Sequence, residues 1–538
     1  MSENYQNSIT DQICKVQTSK KLIALYDRLR YTSYNSYAQL HAKGEFEENG
    51  HKVHSLIGIS IQDYSSGTGD KNIITRFHLA PEQIQFLLSR VTAGFPEFEW
   101  SQSKIFGVPD GNGYSTAQQF FISRHVYNNQ QEILTSPWRI QINNGKGIKK
   151  KNHNGGTYMQ AQSFISEKSA FIQLTDMDFY MPTKVCQEKN AVKNHGAEIA
   201  SFGKKALIVT GKSSSKKNHS LQDVIDVLNE NATEYVVFDE VPQNPSVELI
   251  MKASEFGRNE GADFVIGIGG GSPMDSAKAI ALMIQNRDTD EEILYQNIEL
   301  RAIPVVEIPT TCGTGSEVTP YAILTRHDKN TKQSISHKIY PELACIDPEY
   351  LSAAPESVIK NTAVDALGHM IESYFNSKAT DFSRMLCQYG ISVWAENIPV
   401  LLGDEADYEA YDSLMLASCL AGMAITHTGT SIPHGLSYYL TYNKDIPHGK
   451  AVGLFLPGYL KVIQKEMPDE VSEVLAMLGF DEIEQFAFLI KQLLGDYEIT
   501  NEDVKKMTDE IMATPRKLNA VPFKVAREDV EDMAAYLA

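Results

Sequence analysis

The sequence predicts three parts in a row: a small α+β domain over residues 1–176, an α/β domain with a mainly parallel sheet over 177–354, and an all-helical domain over 355–538. Three observations support this order. Short alternation of polar and apolar residues fills the first third, as in HSLIGISIQDY, QQFFISRHVY and PWRIQI. From Met177 strand and helix patterns take turns, the texture of crossover helices laid on a parallel sheet. After Pro355 strand signals stop, and apolar residues recur at helical spacing to the end.

At 538 residues the chain is long enough for two or three cores. Hydrophobic residues make up 42% and charged residues 22%, and no apolar run approaches the roughly 18–20 residues of a membrane span. The opening MSENYQNSITDQICK is polar and acidic, unlike a secretory signal. Six Cys form no CxxC pair, so reduced thiols in a cytoplasmic protein are expected. A net charge of −19 argues against nucleic acid for the whole chain, but residues 1–176 carry 18 Lys and Arg against 15 Asp and Glu. That part is at +3 and the remainder at −22, which reads as a junction of two unlike pieces.

In the first part a helix is expected over Asp11–Arg30, then strands, with Pro81–Val91 as a helix between them. GKGIKKKNHNGG (145–156), near Trp138 and Tyr158, is a basic loop beside aromatics. It suits a grip on single-stranded nucleic acid, or a solvated hairpin loop. In the second part MDFYMPTKV supplies an edge strand, followed by strand KKALIVT, loop GKSSSKKNHS and helix LQDVIDVL. Strand YVVFDEV, a helix opened by Asn244-Pro245, strand ADFVIGI, a glycine turn with its helix, and strand AIPVVEIP complete the series. The third part holds helices such as YDSLMLASCLAGMA, IEQFAFLIKQLLG and VEDMAAYLA, and a cleft is expected where it meets the second.

Within the third part, NTAVDALGHMIESYF (361–375) sets Asp365 and His369 four residues apart on one face of an apolar helix. An ionised carboxylate in such surroundings needs a donor, a positive charge or a metal. Two further imidazoles, His434 and His448, sit in matching IPHG segments. One Asp and three His suit a borderline divalent cation, Fe(II) or Zn(II), with a position open for substrate. A satisfied core histidine is the competing reading of the helix pair; the repeated PHG favours metal.

GIGGGSPMDSAKAIALM (267–283) follows an apolar strand and opens a helix, the context a glycine-rich phosphate turn requires. Ser272 is expected as N-cap, Pro273 as first helical residue and Asp275 as partner in a capping box. A tight connection is the other reading of that turn; a second polar turn, PTTCGTGSEVT (309–319), follows the next strand, and two such turns on neighbouring strand ends favour a dinucleotide site over either alone.

GGGSPMDSAK, PTTCGTGSEVTPYAI, NTAVDALGHMIE, GTSIPHGLSY and IPHGKAVGLFLP, in this order, resemble the iron-containing (group III) alcohol dehydrogenases, closest to the NADPH-dependent butanol-dehydrogenase-like branch. The likeness runs from about Phe179 to Ala538 and leaves out the first third. It implies a Rossmann-like cofactor domain, a helical metal domain, and hydride transfer between a nicotinamide and a primary alcohol or aldehyde in the cleft, in a homodimer. On matching positions it implies Asp365, His369, His434 and His448 as metal ligands, Fe(II) first and Zn(II) second. It places the pyrophosphate on Gly270, Gly271 and Ser272 with Asp275 nearby, the nicotinamide and ribose along Thr310, Thr311, Thr314 and Ser316, and Lys332 as a cofactor-contacting lysine. A solvated surface position is the other reading of Lys332.

Two positions depart from the family pattern. Tyr438 stands where many members carry a proton-relaying His, so the phenol or a water takes that role. Cys312 replaces a small residue and reads as a buried hydrophobe. Cofactor choice is read at Gly211, where NAD-preferring relatives place an Asp that would repel a 2′-phosphate by about 4 kcal/mol. Gly211, with Lys212, Ser213, Ser214, Ser215 and Lys216 as donors, predicts NADP(H) over NAD(H). The alternatives are an NAD- and zinc-dependent glycerol-dehydrogenase-like enzyme, or a binding or scaffolding protein with a vestigial dehydrogenase part.

Overall fold

The computed structural model describes residues 12–17, 21–28, 47–48, 51–52, 56–65, 67, 71–92, 97–127, 137–153, 155–174, 179–287 and 289–536. The chain divides into two compact units, Met1–Met177 and Asp178–Ala538. Met177, the start expected for the dehydrogenase part, lies outside the described residues.

The first unit is built mainly of antiparallel strands. β1 (Gln12–Gln17), β2 (Lys21–Arg28), β5 (Leu56–Asp63) and β6 (Ile73–Leu79) form one sheet in that order, and β3 (Glu47–Glu48) pairs with β4 (His51–Lys52). Within the helix expected over Asp11–Arg30, the described residues form two strands instead. KLIALYDR has the Leu, Ala and Lys content of a helix, but pairing with β5 in full register buries Ile23 and Ala24, and that tertiary partner outweighs propensity. Helix α1 (Pro81–Thr92) leads to β7 (Glu97–Phe106), β8 (Tyr114–His125), β9 (Trp138–Lys151) and β10 (Thr157–Met159), with β11 (Ile165–Leu174) paired on β9. Ile59, Ile61, Phe77, Phe120, Trp138, Ile142 and Ile172 share a core. The basic stretch expected as a loop is instead the end of β9, to Lys151, and only its last residues form the hairpin turn that leads to β10.

The second unit opens with a six-stranded, all-parallel sheet. β12 (Lys184–Gln187), β13 (Lys205–Thr210), β14 (Glu234–Phe238), β15 (Phe264–Gly269), β16 (Val305–Pro309) and β19 (Leu343–Ile346) lie in the order β12-β19-β16-β15-β13-β14. Helices α2 (Ser220–Glu230), α3 (Val247–Glu260) and α4 (Gly271–Gln285) connect them. Strands FVIGIG and VVEIP are buried throughout because both faces are covered by separate apolar clusters. The edge strand expected in MDFYMPTKV overlaps β12 only at Lys184 and Val185, and the hairpin of β17 (Ile323–Arg326) and β18 (Thr331–Ser334) was not foreseen. The order reverses between β13 and β15, so the crevice at their carboxyl ends is a topological switch point.

Beyond Pro355 the described residues are helical or irregular. α5 (Glu356–Tyr374), α6 (Asp381–Glu396), α7 (Tyr408–Thr428), α8 (Ile432–Asn443) and α9 (His448–Gly453) enclose one large core. Among the described residues no helix is long and apolar enough to cross a membrane.

Candidate active site

α5 carries the first two site residues, and it is buried without a break from Ala363 to Tyr374. The four-residue spacing sets Asp365 and His369 on one face, and Glu372 follows three residues later on the same side. α7 ends at Gly429, whose φ of 76° turns the chain into α8, where Pro433 sits in the first turn ahead of His434. Pro447 precedes α9, which begins at His448.

The middle of α5 and the first turns of α8 and α9 converge. Asp365 Oδ1 lies 3.5 Å from His434 Nε2 and 3.7 Å from His448 Nε2, and one ligand atom from each of the three residues falls within 4.8 Å of the others. Asp365 Oδ1, His434 Nε2 and His448 Nδ1 are buried with no hydrogen-bond partner among the described residues. A carboxylate and imidazoles left unpaired together are a donor set that fits a borderline divalent cation. His369 lies against this group, its ring stacked on that of His434 with centroids 4.4 Å apart. Its Nδ1 donates to the Gly313 carbonyl at 3.2 Å, which leaves Nε2 with a free lone pair.

Glu372 went unnoticed in the sequence and is the main support of His434. One carboxylate oxygen accepts the His434 backbone N–H at 2.9 Å, and the other accepts Nδ1–H in a short contact. Both bonds point His434 Nε2 at Asp365. Glu372 shares the helix face of Asp365 and His369, and that spacing was the available signal; its partner, 62 residues away, was not visible locally.

Electrostatics divide the imidazoles. Burial pushes His369 down to about 4 and His448 down to about 3, so both rings are neutral donors. Burial acts the same way on His434, but the Glu372 and Asp365 carboxylates outweigh it and raise that ring to about 9. Burial opposes ionisation of Asp365, yet the surrounding imidazoles hold its carboxyl below the usual range. Tyr438, pushed by burial up to about 12, stacks on His448 at 6.3 Å. Lys517, also unforeseen, donates to Thr430 Oγ1 at 2.5 Å and lies 5.7 Å from the centre of the Tyr438 ring.

At the switch point the two polar turns touch. β15 and β16 are neighbours paired up to Gly269 and Pro309, and Thr310 N–H donates to the Gly269 carbonyl at 2.9 Å. A Cβ on Gly270 would sit 3.1 Å from Thr311 Oγ1, and one on Gly271 would sit 2.8 Å from Thr314 Cγ2, so side chains there would push the turns apart. The N-cap of α4 is Gly270, in extended conformation, rather than Ser272, and no side-chain cap forms. Ser272 Oγ instead accepts the Asn244 N–H at 3.3 Å, and Asp275 accepts from Ser316 Oγ at 2.5 Å and from Ile323 N–H at 2.8 Å. The expected capping box is absent because Asp275 is drawn into the 309–323 loop. Lys278, fully buried, tightens the same loop by donating to Ser316 and to the Tyr321 carbonyl.

Lys332 donates to Asn244 Oδ1 at 2.5 Å, and burial lowers it to about 8, so it is no solvated surface lysine. Gly211 follows β13, with Ser213 and Ser214 exposed beside it. Ser215 turns inward to Thr210 Oγ1 at 2.8 Å, and Lys216 pairs with Asp239 at 2.5 Å. Cys312 is buried, with its thiol pushed up to about 11 by that burial, as befits a packing residue.

The model for "Iron-containing alcohol dehydrogenase" matches residues 182–348, and that for "Fe-containing alcohol dehydrogenase family, C-terminal" matches residues 359–536. The long-chain primary alcohol dehydrogenase AdhA of Thermoanaerobacter ethanolicus is 30% identical over 328 residues, 57% of this chain and 82% of that protein. The NADPH-dependent butanol dehydrogenase of Clostridium saccharobutylicum is 28% identical over 352 residues, 60% of this chain and 90% of that protein. Among solved structures, an iron-containing alcohol dehydrogenase from Thermotoga maritima superposes with a TM-score of 0.63 at 39% identity, covering 67% of this chain and 99% of its own.

Proposed function

The chain belongs to the iron-containing alcohol dehydrogenase family, and we propose that it is an NADP(H)-preferring enzyme interconverting a primary alcohol and its aldehyde. The observation that carries this reading is the convergence of unpaired Asp365, His434 and His448 atoms where the middle of α5 meets the first turns of α8 and α9. With His369 they would hold one divalent cation, Fe(II) before Zn(II), which when bound polarises the aldehyde oxygen. Glu372 keeps His434 oriented, and Gly313 fixes the tautomer of His369. Gly270, Gly271 and Ser272 cradle the pyrophosphate at the start of α4, while Thr310, Thr311, Thr314 and Lys332 line the nicotinamide side. Tyr438 is our candidate to deliver the proton to the alkoxide. The NADP(H) preference rests on Gly211, which removes a carboxylate from the 2′-phosphate, with Lys212, Ser213 and Ser214 as donors.

Incubating the Fe(II)-loaded protein with NADPH and butanal, and following loss of NADPH absorbance, tests the reading. Turnover that a chelator abolishes supports it; metal-independent turnover, or none with any short aldehyde, contradicts it.

We propose domain limits at 176/177 and 354/355, and a cytoplasmic homodimer. The shift from +3 to −22 and the start of the family match at residue 182 support the first limit. A chain begun at Met177 is then expected to fold and reduce butanal, and aggregation or lost cofactor affinity would contradict it. Sizing chromatography checks the dimer.

A further inference from the structure

The stretch GKGIKKKNHNGG is only half explained by packing. A Cβ on Gly145 would fall 2.0 Å from the Ile165 carbonyl, and one on Gly147 would fall 2.7 Å from Met159 Sδ, so both glycines let β11 and the 159–164 loop close over β9. Lys146 is paired with Glu167 at 3.6 Å. Lys149 reaches across to the Gly107 carbonyl at 3.1 Å, and neither it nor the exposed Lys150 and Lys151 has a carboxylate in ion-pair range among the described residues.

Beside these lysines runs a groove of about 750 Å³ between β7 and β10, floored by Gln119 of β8. Phe106 and Tyr158 line it while remaining 45% and 51% exposed, an unusual state for aromatics in a concave site. Gln160 and Gln162 add donors and acceptors, the Lys104 ammonium is turned instead to the His78 carbonyl, and no described lining residue is acidic. Tyr158 is the direct cross-strand partner of Lys150, so ring and ammonium share one face of the hairpin.

We propose that this groove binds a short run of single-stranded nucleic acid, with bases stacked on Tyr158 and Phe106 and a phosphate held by Lys150 on the same face. Stacking on exposed rings needs base faces that a duplex hides, and the amides suit base edges in any sequence. An acidic peptide would use the lysines but would leave the two rings without flat partners. The basic character of residues 1–176, at +3 against −22 for the rest, confines the attraction to this unit.

The test is fluorescence anisotropy of the full-length protein with a labelled oligothymidine of about a dozen residues. Saturable binding that weakens with salt is expected, and Tyr158→Ala should weaken it about tenfold or more while Tyr158→Phe keeps it. Replacing Lys150 with Ala should reduce the salt slope by about 0.7. Metal-dependent NADPH turnover, carried by other residues, serves as the control for intact protein. No binding at low salt would overturn the proposal, as would indifference to Tyr158→Ala, equal affinity for a duplex, or inorganic polyphosphate competing as well as unlabelled oligonucleotide.

Discussion

His434 and His448 lie in the same tetrapeptide, Ile-Pro-His-Gly, and the fold gives them opposite surroundings. His434 is held at two points by Glu372, and the two carboxylates beside it raise its ring to about 9. His448 has an unpaired Nδ1, and burial drives its ring down to about 3. The glycines differ as well. A Cβ on Gly449 would lie 1.8 Å from the Asn361 carbonyl of α5, whereas one on Gly435 would meet side-chain atoms, Ile511 Cδ1 at 2.8 Å and Lys517 Cγ at 3.3 Å. The motif therefore specifies a proline-started helix with a histidine in its first turn; long-range neighbours decide what that histidine does.

The sharpest way to break this comparison is to load the two glycines equally. Gly449→Ala presses on main chain that cannot yield, so α9 must leave α5, at about 3 kcal/mol or more and with loss of activity. Thermal unfolding and butanal turnover report both effects. If Gly449→Ala is as mild as the Gly435 change, the close approach of the two helices is not what positions His448.

Cofactor selection is the next largest effect and sets metal end against nucleotide end. Gly211→Asp should weaken NADPH use by about two to three orders of magnitude through repulsion of the 2′-phosphate, and spare NADH. A Cβ there meets only the Val241 carbonyl at 3.3 Å, so the fold should accept it. The ratio of kcat/KM for the two cofactors decides, and an unchanged ratio places the 2′-phosphate elsewhere.

Glu372→Gln sharpens the contrast between the histidines directly. It keeps the shape but removes the charge behind His434, and metal affinity should fall by about 10- to 100-fold. Titration with a competing chelator measures this, and wild-type affinity would show that Glu372 serves only packing. Smallest is Gly435→Ala: the contacted atoms belong to side chains rather than main chain, so a cost of about 1 kcal/mol is expected, part of it offset by better helix propensity. A drop in melting temperature matching that of Gly449→Ala would erase the distinction.

Much of this was legible because it is periodic or punctuated by glycine and proline. The parallel strands of the second unit are short apolar runs between turns, and Asp365 and His369 declare themselves by spacing. Glu372 and Lys517 did not, since what makes them matter is a partner on another helix. The capping box at Ser272 failed for the same reason: Asp275 has the right offset but is claimed by Ser316 and Ile323, on a loop some forty residues on. Residues 12–28 read as helix because local composition favours one, while the strand pairing that decides the matter comes from β5.

Asp365, His369, His434 and His448 are proposed to hold together one metal that activity requires. Elemental analysis of His434→Ala, beside wild type purified in parallel and with circular dichroism to verify the fold, tests it most directly. About one iron or zinc per wild-type chain is expected, with metal and butanal turnover lost together in a folded variant. Full metal occupancy with normal turnover in His434→Ala would contradict it.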